Sequence, residues 1–494
     1  MLKSKIYPVL SGKKLILIIC LFVLTAVTTY AQAPGTQWTK TYGGSQLDRG
    51  YCVKQTLDGG FIISGTTKSF GSGGTSFYLI KTDFLGDTLW TKTYQGCYDN
   101  ISSVQQTSDS GYIIIGMTDL FGSGMTDLYL IKTNSFGDSL WAKAYGGSNL
   151  ESGADGQQTS DGGYIITGCS KSFGTTGAYV YLVRTDSSGD IIWTRTYEGG
   201  FKGPYRVAET IDGGFIVAGE TSFPIHGGQT DIYLIRTNSS GDTLWTKMHG
   251  GISMDEVWDI QQTSDGGYFI VSTTRSFGMG WWDYYLIKTD EFGDTTWTKT
   301  FGGGAGDGAR SGHETSDGGY IISGWACSFG NSYQAYIVKT DSQGFKQWEK
   351  VYGGYGQDES MSIQQTTDGG YITVGGTRTY GAGDWDIWII KIAPDTLTNV
   401  KKRNEIVNDY HLFQNYPNPF NPVTTIKYQI PKTGFVILKV YDVLGKEVAT
   451  LVNGKQGAGS YEVEFDGKDY SSGVYFYKLV TDDYSNVKKM ILIK

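Results

Sequence analysis

The sequence predicts an all-β protein, a seven-bladed β-propeller of four-stranded blades followed by a small immunoglobulin-like β-sandwich. The first observation is a tryptophan that recurs every 51 or 52 residues, which indicates a repeat architecture. The second is turn chemistry between short apolar runs, and the third is the end of this pattern after Ile392. The recurring residues are Trp38, Trp90, Trp141, Trp193, Trp245, Trp297 and Trp348.

Each repeat contains four short apolar or alternating runs, as expected of four β-strands. An Asp-Gly step, the strongest short signal for a β-hairpin, joins two of these runs. It occurs at Asp58, Asp161, Asp212, Asp265, Asp317 and Asp368. A second tight turn has the form Asp-x-x-Gly-Asp, as at Asp83 to Asp87. Four strands per repeat, seven times over, are typical of a β-propeller.

The ends of the repeat array favour a closed ring over an open solenoid. An isolated Trp strand at Gln37 to Tyr42 precedes the first unit, and the seventh unit ends at Asp386 to Ile392 without such a strand. We therefore expect the first strand to complete the last blade, because this removes an exposed sheet edge. A solenoid would need capping repeats, and the sequence shows none.

Two motifs recur in the units, Gly65-Thr66-Thr67-Lys68-Ser69-Phe70 and the segment from Asp127 to Thr133. They resemble the repeat of a family of secreted bacterial β-propeller proteins, and the resemblance covers residues 38–392. It implies the fold and no particular activity, because that family has no common catalytic set.

Residues 1–33 have the order of a secretory signal peptide, with lysines, an apolar run from Leu15 to Val27 and small residues up to Ala33. We expect cleavage near Ala31 or Ala33. A membrane anchor is the weaker alternative, because the run is shorter than the roughly 20 residues that a spanning helix needs. A lipid anchor at Cys20 is disfavoured by Ile19, which stands where such sites need a small residue. The mature chain is therefore expected to have no membrane span.

The C-terminal region reads as a separate all-β domain of about seven strands. Its motifs are Asn415 to Pro422, Val440 to Val448 and Ser472 to Leu479. They resemble the type A C-terminal sorting domain of the type IX secretion system. This implies the type IX machinery as a partner and passage across the outer membrane of a Bacteroidota-type cell, often with removal of the domain. An ordinary immunoglobulin-like binding module is the alternative.

The sequence as a whole is expected to divide into a signal peptide at 1–33, a propeller at 34–393, a linker at 394–410 and a sorting domain at 411–494.

Charge and cysteine content limit the partners. The formal net charge is -8, and the basic residues of the leader and of the C-terminal region leave the propeller more acidic still. An acidic body argues against nucleic acid and anionic membranes as partners, and we expect a monomer.

The mature cysteines occupy different phases of the repeat, so they do not form a metal site, and only Cys52 and Cys97 could form a disulfide. The other two are Cys169 and Cys327.

An acidic residue follows most of the marker tryptophans by nine or ten positions. The set is Asp48, Asp99, Glu151, Asp255, Asp307 and Asp358, with Gly203 interrupting it in the fourth unit. One interpretation is a ring of carboxylates that holds a cation such as Ca²⁺. The favoured interpretation is that each acid caps its own loop by accepting backbone N–H groups. No other cofactor is expected.

Tryptophan is also distributed unevenly. The six that are not repeat markers all fall in units five to seven: Trp258, Trp281, Trp282, Trp325, Trp385 and Trp388. Trp282 and Trp385 each precede an aspartate, Asp283 and Asp386. Exposed indoles beside carboxylates suit sugar rings, whereas packing between blades is the structural alternative. The candidate ligand-binding residues are therefore Trp281, Trp282, Asp283, Trp325, Trp385 and Asp386.

Catalysis finds little support in the sequence. The histidines of the mature chain show no recognisable pairing with serine, cysteine or metal-ligand spacing. They are His226, His249, His313 and His411. We expect an exported, surface-displayed or released propeller that acts as a non-catalytic binding module, with glycans or surface proteins as partners. The alternatives are a secreted polysaccharide-active enzyme that uses carboxylates of the propeller face, and a purely structural surface protein.

Overall fold

The computed structural model describes the chain from Ala33 onward with short gaps, all within the compact unit Ala31–Lys494. The described ranges are 33–71, 73–96, 103–173, 178–198, 206–221, 230–330, 332–395, 401–403, 409–468, 470–481 and 483–494. Residues 1–32 of the predicted signal peptide, most of the predicted linker, and Cys97, Asp99, Gly203 and His226 lie outside them.

The described propeller residues form seven four-stranded antiparallel sheets, the blades, with strands numbered in chain order. The inner strands are β2 (Asp48–Gln55), β6 (Ser103–Gln106), β10 (Glu151–Gln158), β14 (Arg206–Glu209), β18 (Asp255–Gln262), β22 (Asp307–Glu314) and β26 (Asp358–Gln365). The second strands are β3 (Phe61–Thr67), β7 (Tyr112–Thr118), β11 (Tyr164–Ser170), β15 (Phe215–Thr221), β19 (Tyr268–Thr274), β23 (Tyr320–Ala326) and β27 (Tyr371–Thr377). The third strands are β4 (Ser76–Thr82), β8 (Asp127–Thr133), β12 (Tyr179–Thr185), β16 (Asp231–Thr237), β20 (Asp283–Thr289), β24 (Gln334–Thr340) and β28 (Asp386–Ile392). The outer strands are β1 (Thr36–Tyr42), β5 (Thr88–Tyr94), β9 (Ser139–Tyr145), β13 (Ile191–Tyr197), β17 (Thr243–His249), β21 (Thr295–Phe301) and β25 (Lys346–Tyr352).

The first strand of the chain closes the last blade, as the sequence predicts. Strand β1 pairs antiparallel with β28, with Trp38 opposite Lys391 and Tyr42 opposite Ile387. The seventh sheet therefore has the order β1-β28-β27-β26 and contains a complete set of four strands.

The hydrophobic core lies between the blades. Seven clusters of buried side chains each combine residues from two neighbouring blades. The closing cluster joins Val53 and Phe61 of the first blade to Ile372 and Ile387 of the seventh. Because every neighbouring pair of blades shares such a cluster, the sheets form a continuous ring.

The marker tryptophans join each blade to the next one. Every marker indole meets, edge to face, the aromatic ring that begins the second strand of the following blade, with ring centroids 5.6–6.0 Å apart. Trp38 packs in this way on Phe61, and Trp348 packs on Tyr371. Such pairs contribute about 1 kcal/mol beyond the area that they bury. The feature that reveals the repeat in the sequence is therefore a contact between repeats.

A ring of hydrogen bonds between the inner strands and the preceding blades also joins each blade to the next. The last residue of each inner strand accepts a backbone N–H from the Asp-Gly turn of the preceding blade. Gln106 Oε1 accepts from Leu57 N at 2.8 Å, and Gln55 Oε1 accepts from Thr367 N at 2.8 Å, which closes the ring. The other acceptors are Gln158, Glu209, Gln262, Glu314 and Gln365.

Each Asp-Gly turn is also fixed by a buried cation of its own blade. Lys81 Nζ lies 2.9 Å from a carboxylate oxygen of Asp58, whose other oxygen accepts the N–H of Gly60. The remaining pairs are Lys132–Asp109, Arg184–Asp161, Arg236–Asp212, Lys288–Asp265, Lys339–Asp317 and Lys391–Asp368. The aspartate that predicts the hairpin thus also neutralises a lysine or arginine of the third strand.

The C-terminal region forms two four-stranded sheets. One has the order β29-β34-β31-β30 and the other β33-β32-β35-β36. Their strands are β29 (Lys401–Arg403), β30 (His411–Leu412), β31 (Val423–Ile430), β32 (Gly434–Tyr441), β33 (Glu447–Gln456), β34 (Gly459–Asp466), β35 (Gly473–Thr481) and β36 (Ser485–Leu492). A single core that includes Ile426, Leu438 and Tyr477 draws residues from both sheets, as expected of a β-sandwich.

Candidate functional site: the loop face and the central channel

The two ends of the blades differ in their connections. One end carries the Asp-Gly and Asp-x-x-Gly-Asp turns, and we call it the turn face. The other end carries the longer loops, which join second to third strands and outer strands to the next inner strand; we call it the loop face. Binding sites are found preferentially on such loops, supported by a rigid scaffold.

The predicted ring of acids lies beneath the loops of the loop face. Asp48 is fully buried; its Oδ2 accepts Gly44 N–H at 2.8 Å and Ser69 Oγ–H at 2.6 Å, and its Oδ1 accepts the hydroxyl of Thr67. Four further acids accept the equivalent glycine N–H at 2.8 Å: Glu151, Asp255, Asp307 and Asp358. These contacts are those of loop-capping residues. Within the described ranges, no group of three or more His, Cys, Asp or Glu side chains is placed to hold a metal ion.

The recurring motif from Gly65 to Phe70 serves the same acid. Thr67 and Ser69 supply the two hydroxyls that bond to Asp48, and Phe70 packs on Tyr78 of the third strand with ring centroids 5.4 Å apart. The motif thus supplies the hydroxyl donors that the buried carboxylate needs, and this is why the motif and the acid recur together in the repeat.

Asp283 and Asp386 do not offer free carboxylates. Each is only 2% exposed, and Asp283 Oδ2 accepts the N–H groups of Met279 and Gly280, both at 2.9 Å. Asp386 Oδ2 is bonded in the same way to Ala382 and Gly383. The loop amides bonded to Oδ2 and the burial of both side chains favour a loop-capping role for these two acids over bonds to sugar hydroxyls, and the sugar-binding interpretation of them stays a prediction.

Trp385 does not offer the exposed indole of the sugar-binding interpretation. It is 8% exposed, and the guanidinium of Arg49 lies over its ring at 4.2 Å, with that of Arg378 at 5.4 Å. Trp282 is half-buried beneath Arg275, at 4.1 Å. Cation–π stacking of arginine on tryptophan covers the faces that a sugar would need.

The remaining indoles of this region belong to the same network. Arg310 lies 3.6 Å from the ring centre of Trp258 and 5.8 Å from that of Trp325, and Trp325 packs on Tyr333 at 4.7 Å. Tyr333 occupies the position of Trp282 and Trp385 in the intervening blade, directly before the third strand. Three successive blades therefore carry an aromatic residue there. Alignment of the third strands in the sequence would have found Tyr333.

Exposed aromatic side chains nevertheless occupy the loop face of blades five to seven. Trp281 is 80% exposed and Tyr355 is 96% exposed, while Tyr333 and Tyr380 are about half exposed. We call these four residues the aromatic patch. Tyr380 donates its hydroxyl to Gly353 O at 3.1 Å, which ties its loop to the one that carries Tyr355. Of the predicted candidates, only Trp281 presents a largely open ring.

A cavity of about 580 Å³ lies at the axis of the ring and is lined by inner strands of all seven blades. The residue three places before the end of each inner strand contributes to its wall: Cys52, Ser103, Asp155, Arg206, Asp259, Ser311 and Ser362. Several of these side chains bond to the neighbouring strand; Ser362 Oγ accepts Val53 N–H at 3.4 Å, and Asp259 Oδ2 accepts Gly312 N–H at 3.2 Å. The polar side chains of this wall hold neighbouring inner strands together.

Two titratable groups of the channel, Asp155 and His313, have pKa values shifted toward the neutral form. Burial raises the pKa of Asp155, and the nearby Asp259 adds to this effect. Burial also lowers the pKa of His313 to about 4, helped by Lys54, so that its imidazole is neutral at pH 7. Its Nδ1 lies 3.1 Å from Gln261 Oε1. His313 is therefore a neutral polar residue of the channel wall that is hydrogen-bonded to the amide of Gln261.

Three cysteines of the described chain are free thiols: Cys52, Cys169 and Cys327. Cys52 Sγ lies 3.7 Å from Val104 O, toward which its S–H points. The pairing of Cys52 with Cys97 stays a prediction, because Cys97 lies outside the described residues.

The strand topology makes the region from β1 to β28 a β-propeller. Residues 414–494 match the family of secretion system C-terminal sorting domains. The chain therefore carries a C-terminal sorting domain, as its motifs predict. The domain indicates export by type IX secretion to the cell surface or the medium. Among the residues whose structure is described, none belongs to a helix long and apolar enough to cross a membrane.

Other similarities are distant. The regulatory protein FlaEY of Caulobacter vibrioides is 23% identical over 240 residues, 44% of this chain and 21% of that protein, so the match spans about a fifth of FlaEY. The β-propeller domain of the Trilobed protease from Pyrococcus furiosus has a TM-score of 0.41 and 10% identity, covering 72% of this chain and 94% of that one. A puromycin hydrolase has a TM-score of 0.46 and 14% identity, covering 81% and 62%.

Proposed function

We propose that this exported propeller is a non-catalytic glycan-binding module and that the aromatic patch is its binding surface. A signal peptide at residues 1–33 would begin the export that the sorting domain completes. The observation that carries the proposal is Trp281, whose indole is 80% exposed on the loop face.

The chemistry of the patch suits a sugar. Large aromatic side chains are costly to leave in water, so a group of them on one exposed face indicates contact with a partner. The apolar face of a pyranose ring stacks on indole and phenol rings, while hydroxyls need charged or amide partners nearby. Arg378 and Asp384 supply such groups in the loop that also carries Tyr380, where they form an exposed ion pair. A neutral glycan suits exposed aromatic rings that lie on the same face as an ion pair without net charge.

Glycan-array binding by the mature full-length chain tests the proposal. Trp281→Ala and Tyr355→Ala should each weaken binding about tenfold, because each removes a stacking surface; a tenfold loss corresponds to about 1.4 kcal/mol. Phe292→Ala is the matched control, since Phe292 is 61% exposed on the turn face of the blade that carries Trp281. It should leave binding unchanged.

Two results would contradict the proposal. Glycan binding that is equal in all four proteins would remove the aromatic patch as the binding surface. Release of reducing ends from a bound polysaccharide by the wild-type chain would replace a binding module with an enzyme.

A further inference from the structure

Pairs of buried carboxyl groups recur at the blade interfaces of the loop face. In each pair, the aspartate that begins a third strand faces the acid that begins the next inner strand, on either side of a glycine. The pairs are Asp386–Asp48, Asp127–Glu151, Asp231–Asp255 and Asp283–Asp307. All eight side chains are at most 3% exposed.

The Asp127–Glu151 pair shows the geometry most clearly. A Cβ atom on Gly146 would lie 1.8 Å from Asp127 Oδ1 and 2.4 Å from Glu151 Oε2, so only glycine fits between the two groups. Asp127 Oδ2 accepts Ser123 N–H at 3.0 Å, but Oδ1 is buried and receives no N–H or O–H from the described residues. The oxygen without a donor is the one that faces Glu151.

The Asp283–Asp307 pair has the same arrangement. A Cβ atom on Gly302 would lie 2.1 Å from Asp283 Oδ1 and 2.8 Å from Asp307 Oδ2. Both acids also hold loop amides, Asp283 through Met279 and Gly280 and Asp307 through Gly303. Two ionised carboxylates in such a position repel each other strongly, and burial removes the water that would screen them.

The groups that act on the pairs are mostly neutral. Arg310, a cation that acts electrostatically on Tyr284 beside Asp307, lies over the ring of Trp258 at 3.6 Å. Tyr181 faces Asp127 and Glu151 from the neighbouring third strand, and burial raises its pKa to about 12, so it is neutral. Glu151 is otherwise bonded by Ser170 and by the N–H of Ser172. Asp307 acts electrostatically on Tyr284, Tyr336 and Cys327, and the pKa of each is raised, so these groups are neutral as well.

The sixth blade provides a natural comparison. Its third strand begins with Gln334, which faces Asp358 across Gly353 in place of an aspartate. Gln334 Nε2 donates to Gly354 O at 2.9 Å. Gln334 Oε1, the oxygen of a neutral amide, thus lies where the other interfaces carry a second carboxyl, so this position does not need a negative charge.

We propose that the Asp127–Glu151 and Asp283–Asp307 pairs each hold one shared proton in the folded protein and act as pH-sensitive latches of the loop face. The shared proton forms an O–H···O bond between the blades. Deprotonation leaves two facing carboxylates and separates them. Because Asp283 also holds the N–H groups of Met279 and Gly280, its latch controls the loop that carries Trp281. The proton sharing itself does not depend on glycan binding.

The direction of the pH effect follows from the acids that carry the proton. Burial, followed by the neighbouring acid, raises the pKa of Asp127 and of Asp283 above the ordinary value despite their amide partners. A raised pKa in the folded state means that the stabilisation is complete below the ordinary aspartate pKa. It is lost as the pH rises through the raised value. The latches therefore weaken on the alkaline side.

Infrared spectroscopy of the full-length protein tests the proposal directly. As the pH is lowered from 9 to 4, the carbonyl stretch of protonated carboxyl groups should appear at a higher pH in the wild type than in Asp127→Asn, and it should be weaker again in Asp127→Asn/Asp283→Asn. Glu220, whose pKa burial raises to about 8, supplies a background that remains in the variants. Asp87→Asn is the control, since Asp87 is an exposed acid paired with Lys40, and it should leave the band unchanged. An equal band in wild type and double variant overturns the proposal.

Thermal unfolding provides the second measurement and separates a proton from a cation. As the pH rises above the ordinary aspartate pKa of about 3.9, the Tm of the wild type should fall more than that of the double variant, which should exceed it by about 2 °C at pH 9. Added Ca²⁺ and EDTA should change neither protein. A wild-type Tm that EDTA lowers and Ca²⁺ restores, with no response in the double variant, would assign the pairs to a cation and overturn the shared proton.

Discussion

The acids that begin the inner strands of this propeller accept hydrogen bonds from nearby loops and from the second strand. Asp48 illustrates this, because Gly44, Thr67 and Ser69 fill its hydrogen-bonding positions and no cation is needed. An ionised group can remain buried when several donors bond to its charged form. The hydroxyls of the recurring motif are therefore as important to the fold as the acid itself.

Replacing Thr67 with valine should destabilise the propeller by about 2 kcal/mol, because it removes a hydrogen bond to a buried charge without changing the side-chain volume greatly. Chemical denaturation of the mature chain would measure the loss. Thr41→Val makes the same replacement at an exposed strand position and should stay within about 0.5 kcal/mol of wild type. Equal stability of the two variants would show that the hydroxyl of Thr67 is dispensable.

The sequence predicted the position of each ring acid but not its surroundings. A periodic acid that follows a marker tryptophan is compatible with either a cation ring or a loop cap, and the deciding donors, Thr67 and Ser69, lie about twenty residues away. The same limit applies to Trp385, because Arg49 reaches it from the opposite end of the repeat array. Contacts between blades involve residues that are distant in sequence and carry no local signal.

The two edge strands of each blade, the inner and the outer strand, have different roles in the fold. The outer strands end each sheet and present the marker indole to the next blade, while the inner strands end each sheet at the axis. Strand β1 has a further role, because it covers β28, whose backbone groups would otherwise form an open edge in the seventh blade.

Deletion of residues 34–42 should therefore lower the Tm of the mature chain and cause aggregation that increases with protein concentration. It removes the partner of β28 and the indole of Trp38 from the interface with Phe61. Calorimetry and light scattering would measure the two effects. A synthetic peptide of residues 34–44 should restore stability, whereas a scrambled peptide should not. A deletion variant that remains monomeric with an unchanged Tm would show that the seventh blade does not need this strand.

Most elements could be predicted because their signals are local. Asp-Gly steps, the recurring Trp strands and the two ends of the array predict hairpins, strand order and closure. The irregular part is the middle of the inner strands, where the pairing shifts by one residue at Tyr51, Trp258, Arg310 and Met361. Alternation of apolar and polar residues fails at a β-bulge, so the lining of the channel could not be read from the sequence.

At the scale of the whole molecule, the seven cation–aspartate pairs make stability depend on acid pH. Burial alone would raise the pKa of Asp109, but hydrogen bonds from Lys132, Thr107 and Gly111 together lower it to about 2. The hydrogen bond of Thr210, with those of Arg236 and Gly214, lowers the pKa of Asp212 to about 2 as well. A carboxyl group whose pKa is lowered in the folded state stabilises the fold at pH values above its ordinary pKa of about 3.9. This stabilisation is lost as the pH falls toward 2.

The Tm should accordingly fall most steeply between pH 4 and pH 2. Thermal unfolding of the full-length chain across this range would measure the effect. Asp212→Asn should lower the Tm at pH 7, because it leaves the buried guanidinium of Arg236 without its carboxylate, and it should reduce the fall below pH 4. Asp87→Asn removes only an exposed pair and should change neither value much. A Tm that is constant from pH 5 to pH 2 would contradict this account.

Closure by β1 also imposes an order in time. Synthesis makes the amino-terminal end first, yet β1 pairs with β28, which is among the last strands of the propeller to be made. The first six blades can stack as they are made, but the seventh is complete only when both ends of the array are present. Pairing between strands so far apart is slow, because a long loop must close first. The ring thus stays open until the propeller has been synthesised in full, and a chain interrupted before Asp386 lacks β28, the strand with which β1 pairs to close the last blade.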